Sequence, residues 1–124
     1  MNSLLWILSV LLAVTYAVTG SSKVIASRER LLAVPGMGWV AEVPMPQVRL
    51  IGALEIAGAV GVVVPWATGI LTPLTPIAAG CLVALQIGAM WTHFSRDERG
   101  HIWLNVVLFV VAIVVAIGRT LAAV

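Results

Sequence analysis

Charged side chains are scarce in this chain. Seven Lys and Arg and five Asp and Glu make up 10% of its 124 residues, against about 25% in an ordinary soluble domain. The mean hydropathy is correspondingly high, at +1.11. This pairing excludes a soluble core of such size and leaves a polytopic membrane protein, read as one domain over residues 1–124. The net charge is only +2 and no segment carries a basic stripe, so nucleic acid is not an expected partner.

Cysteine is nearly missing as well. Cys81 is the single one, which excludes a disulfide framework, a CxxC redox pair and a cysteine metal centre within one chain. Lying inside an apolar run, it reads as a small buried hydrophobe. With only two histidines, a structural metal cage is not expected. The remaining arrangement, Glu55 with His93, His101 and water, is disfavoured. No Gly-rich nucleotide- or flavin-binding loop occurs. No intrinsic cofactor is therefore expected, and electrons in any redox step would come from another protein or from the substrate. No Lys or Arg precedes the first apolar stretch, so the basic head of a signal peptide is missing and the stretch reads as a retained span.

Four apolar segments have spanning length, over about residues 4–20, 50–66, 73–91 and 102–118. Thr72 and Pro73 read as an N-cap hydroxyl followed by an N1 proline. Span two holds Gly52, Ala53, Ala57, Gly58, Ala59 and Gly61, small residues that allow close helix approach and suit a neighbour in the chain or a partner helix. Short second and third connections predict an all-α, up-down four-helix transmembrane bundle. The first connection, Ser21 to Val48, is the long one. Its first half has the pattern of a short amphipathic surface helix, and Trp39 is placed as an interfacial anchor. A lid and a solvated tether are equally compatible with the rest.

Lys23, Arg28, Arg30 and Arg49 fall in the first connection and Arg96 and Arg99 in the third, whereas the opposite face has only Arg119, expected to snorkel. The positive-inside rule then puts the long loop in the cytoplasm and both termini outside. The expected location is a bacterial cell membrane.

Within this frame one residue stands out. Glu55 lies roughly 8 Å below the charged end of span two, by the helical rise, and an ionisable group at such depth usually faces a bundle interior and marks function. The other polar residues of the spans fall toward the same side. Tyr16 and Lys23 share a face of span one at i, i+7, as do Gln86 and His93 on span three. Asn105 is one turn into span four, with His101 four residues before it. Glu55 and His93 are the candidate catalytic acid/base pair, since burial raises a carboxyl pKa and histidine exchanges protons near neutrality. Lys23, Gln86, Asn105 and Tyr16 are the candidate ligand-binding groups. Alternatively, Glu55 is a structural ion-pair partner of Lys23, Gln86 and Asn105 are interhelical hydrogen-bond formers, and Tyr16 with Trp6, Trp39, Trp66, Trp91 and Trp103 belongs to the membrane belts.

At these residues the chain resembles the DoxX-like family of small four-span membrane proteins. The likeness rests on Thr19-Gly20-Ser21-Ser22-Lys23 closing span one and Ile51-Gly52-Ala53-Leu54-Glu55-Ile56-Ala57-Gly58 opening span two. Val63-Val64-Pro65, Gly88-Ala89-Met90-Trp91-Thr92-His93, Asn105 and Gly118-Arg119 follow in order. The resemblance implies a four-helix membrane bundle linked to quinone- or thiol-dependent redox systems, with Lys23, Glu55 and His93 as its polar signature. The missing cysteine pair argues against direct thiol chemistry.

The expected function is a cytoplasmic-side intramembrane site for a lipophilic ligand, in a quinone-linked redox subunit or a small acid/base enzyme. The alternatives are a non-catalytic assembly subunit and, less favoured, a proton-coupled transporter. Small multidrug transporters share the size and the single membrane glutamate, but carry it in span one with a weaker charge bias. Expected partners are membrane lipid, a lipophilic small molecule, and a membrane redox protein or a second copy of the chain.

Overall fold

Apolar runs of this length satisfy their backbone polar groups in lipid only as helices or closed barrels, and here they are helices. The computed structural model describes residues 2–98, 100 and 102–123. Its elements are α1 (Asn2–Ile25), α2 (Arg28–Leu32), a 3-10 turn (Gly38–Glu42), α3 (Met45–Thr68), α4 (Leu74–Ser95) and α5 (Ile102–Ala123). Helices α1, α3, α4 and α5 are each long and apolar enough to cross a membrane. Each packs on the next, and α5 returns to α1, closing a four-helix ring in chain order. Leu12, Tyr16, Ala59, Val62, Ala79, Leu82, Ala112 and Val115 fill its middle.

The most extensive contact joins α1 to α3, and two glycines permit it. A Cβ on Gly20 would lie 2.7 Å from the Gly52 carbonyl oxygen, and one on Gly52 would lie 2.6 Å from that of Gly20. The obstacle is backbone on both sides and cannot rotate away. Gly52→Val is therefore expected to lower stability by ~1–3 kcal/mol, the usual cost of overpacking; thermal unfolding in detergent checks this, and an unchanged midpoint would count against it. Gly58 and Gly61 sit against Leu82 and Ala78 of α4. Gly52, Gly58 and Gly61 of span two are thus occupied within the chain, whereas Ala53 and Ala57 are exposed.

The long loop is shorter and more structured than the sequence suggests. Helices α1 and α3 continue past the apolar runs, so Lys23 lies in the last turn of α1 and Arg49 within α3. The surface helix shrinks to the five residues of α2, with Ser27 as its N-cap. Leu31, Val40 and Val48 form a second small core with Trp39 packed against it, so Trp39 serves this cap. Arg28 donates to the Val40 and Val43 carbonyls. Arg49 donates to the Lys23 and Ala26 carbonyls, a cation where the helix dipole of α1 is negative. Arg96 reaches Glu42 at 2.6 Å and Glu98 at 3.1 Å, fastening the cap to the α4–α5 connection. The hydrogen bond it donates to Glu42 raises the Arg96 pKa above its usual value.

Two smaller expectations change. Helix α4 starts at Leu74, one residue late, with Pro73 in the cap position and no side-chain cap hydrogen bond; the Thr72 carbonyl receives the Thr75 N–H instead. Cys81 faces outward rather than inward.

Arg119 is the larger surprise. Instead of snorkelling it is fully buried, with its guanidinium 5.0 Å from the Trp6 ring centre and 4.5 Å from that of Trp66. One nitrogen donates to Asn2 Oδ1 at 2.9 Å. The tryptophan quadrupoles take over part of what water would supply, and α1, α3 and α5 are pinned at this end. Arg119→Ala is expected to cost ~3 kcal/mol, since it opens a cavity and ends two cation–π contacts of ~0.5–2 kcal/mol each. Unfolding followed by tryptophan fluorescence tests this; a wild-type midpoint would overturn it.

Candidate functional site

Residues Tyr16, Thr19 and Lys23 succeed one another at three and four positions along α1, which sets them on one helical face. That face meets α3 at Glu55. Lys23 Nζ lies 2.8 Å from Glu55 Oε1 and 3.1 Å from Oε2, and the Thr19 hydroxyl donates to Oε2 at 2.8 Å. Lys23 is 8% exposed and Glu55 7%. The carboxylate thus has a charge partner and a hydroxyl donor, the company a buried charge requires. The close glycine approach produces this geometry: Gly20 and Gly52 lie between the polar residues, so the helix axes come near enough for Lys23 to span the gap.

A second pair lies deeper. Gln86 of α4 donates its amide to the Tyr16 hydroxyl across the bundle. Both residues are buried, at 5% and 2% exposure. The Gln86 Oε1 atom is buried with no hydrogen-bond partner. The Tyr16 oxygen accepts the amide hydrogen, which leaves its own O–H to donate. Whichever way the amide is turned, one of its ends stays unclaimed. No hydrogen bond joins this pair to Lys23 and Glu55, although Tyr16 is within electrostatic reach of Glu55.

His93 is buried near the end of α4, with Nδ1 at 3.4 Å from Glu98 Oε1, an ion pair when the imidazole is protonated. Glu55 is thus held by Lys23 and Thr19, and His93 lies beside Glu98. Asn105 is half-buried in the first turn of α5. His101 lies outside the described residues, as does Arg99. Among the described residues no group of three His, Cys, Asp or Glu side chains is placed to hold a metal.

Two participants are not among the candidate site residues expected from the sequence. Thr19 was legible, since it precedes Lys23 by one helical turn and shares its face. Glu98 was not: it follows α4 in an irregular segment, and only the turn that returns its N–H to the His93 carbonyl at 2.8 Å brings it near.

Comparison with known families matches residues 7–115 to the DoxX-like family. No curated protein and no solved structure matches.

Proposed function

The chain belongs to the DoxX-like family and is an integral membrane protein; from that premise we propose that its polar layer binds the carbonyl or hydroxyl head of a lipophilic small molecule. A quinone or quinol is the class that fits best, which makes the protein a quinone-linked redox subunit or a small acid/base enzyme. The positive-inside rule assigns the layer to the cytoplasmic side.

The observation that carries this reading is the Tyr16–Gln86 pair. It sets a hydroxyl and an amide side by side in a buried setting, and the Gln86 Oε1 atom has no hydrogen-bond partner among the described residues. Such groups cost free energy until a partner arrives, and a lipophile with a carbonyl or hydroxyl head supplies that partner without bringing charge into the membrane. The Lys23–Glu55 ion pair lies toward the charged end of the bundle from this point, with Glu55 within electrostatic reach of Tyr16. The experiment is titration of a short-chain benzoquinone into purified protein, read by quenching of tryptophan fluorescence. Saturable quenching that disappears in Gln86→Leu supports the reading; identical curves for both proteins oppose it.

One observation favours assembly as a second reading. Gly80, Ala84 and Gly88 form an outward row on α4, and a Cβ added at Gly80 or Gly88 would meet nothing within 4 Å. Small residues at four-residue spacing suit close approach of another membrane helix. Oxidative crosslinking through Cys81, which adjoins the row, in native membranes should trap a dimer if that helix belongs to a second copy; monomer alone would argue against self-association.

A further inference from the structure

The described cations at the charged end of the bundle differ in one respect. Lys23 is committed to Glu55, Arg28 to the Val40 and Val43 carbonyls, Arg49 to the end of α1, and Arg96 to Glu42 and Glu98. Arg30 is exposed, and its backbone N–H caps onto Ser27, but its guanidinium engages no group among the described residues.

That guanidinium borders a recess of about 470 Å3 lined by Ser21, Ser22, Ile25, Ala26, Ser27 and Arg30. None of the residues of the polar layer contributes to it. Ser22 spends its hydroxyl hydrogen on the Val18 carbonyl at 3.1 Å. Ser27 accepts from Arg30 and keeps its own hydrogen to donate, and the Ser21 hydroxyl is uncommitted. The recess therefore offers a planar cation and two hydroxyl donors, a set suited to the oxygens of a phosphate.

Its floor continues into an apolar track. Leu11, Val14, Val18 and Ile25 stand outward on α1 at 57%, 59%, 62% and 79% exposure, and spacings of three, four and seven set them in one row with Ser22. From Val18 to Leu11 the row descends roughly 10 Å, within one leaflet of a bilayer whose apolar core is about 30 Å thick. A polar pocket at the membrane surface heads an apolar strip entering the membrane, and one molecule that matches both is a phospholipid.

We infer that this recess is a binding site for an anionic phospholipid of the same leaflet, with its phosphodiester on Arg30, Ser21 and Ser27 and one acyl chain along Val18, Val14 and Leu11. The site is independent of the polar layer, since Lys23 and Glu55 face the bundle interior.

The test is native mass spectrometry of the full chain extracted from vesicles of equimolar phosphatidylcholine and phosphatidylglycerol. Wild type should retain phosphatidylglycerol about fivefold over phosphatidylcholine, the preference one arginine supports at an anionic surface. Arg30→Gln should retain the two equally, and because the exposed Arg30 guanidinium holds no group among the described residues, this variant stays folded. Excess inorganic phosphate should leave the lipid adduct in place. Equal phosphatidylglycerol retention by wild type and Arg30→Gln would overturn the site, and displacement by inorganic phosphate would make it a soluble-anion site instead.

Discussion

Glu55→Ala is expected to lower stability by ~3–5 kcal/mol, because it strands the Lys23 ammonium in the bundle with its counter-charge gone. Lys23 is only 8% exposed, and the Thr19 hydroxyl lies against the carboxylate at 2.8 Å. The double change Lys23→Met with Glu55→Leu should recover most of the loss, since an apolar pair of similar volume is often no less stable than a buried ion pair. Equilibrium unfolding in mixed micelles measures both. A single variant as stable as wild type would mean that the carboxylate is not the counter-charge of Lys23.

The second large effect concerns the ligand rather than the fold. Tyr16→Phe combined with Gln86→Leu removes both members of the deeper pair, and replacing both partners of a hydrogen bond with apolar groups of like shape is nearly neutral for stability. Binding should respond very differently. Each buried hydrogen bond left unmade costs ~1–3 kcal/mol, so loss of even one to a bound quinone head weakens affinity by about five- to 150-fold. Benzoquinone titration of the folded double variant should give a dissociation constant raised by at least that lower bound. A wild-type constant would show that the pair is interhelical glue alone.

These two outcomes separate roles that the sequence leaves joined. Glu55 and Lys23 were visible together because an acidic residue in one apolar run and a basic residue at the end of another lie at the same depth. Depth follows from counting residues along a helix, but orientation around the axis does not. The choice between Lys23 and His93 as the neighbour of Glu55 was therefore open until the Gly20–Gly52 contact fixed how α1 turns toward α3. The four helices were legible because apolar length alone dictates them. Their ends were not: α1 continues for five residues beyond Gly20, through Ser21, Ser22 and Lys23, whose polarity breaks the hydropathy signal without breaking the helix.

Arg119 illustrates the converse. Its place near the end of span four suggested an exposed cation, and nothing local marked Trp6 and Trp66 as its partners. Those contacts come from residues more than 50 positions apart, brought together only by closing the ring of helices. The outward row on α4 was hidden for a similar reason. Gly80, Ala84 and Gly88 are as small as the inward Gly52, Gly58 and Gly61 of α3, and packing alone tells them apart.

The most direct measurement of the central claim is mass spectrometry of lipophilic small molecules that remain with gently solubilised wild-type protein and with the Tyr16→Phe, Gln86→Leu double variant. A quinone, or another lipophile with a carbonyl or hydroxyl head, should be enriched on wild type and depleted on the variant. The same lipophiles in the same amounts on both proteins would contradict it.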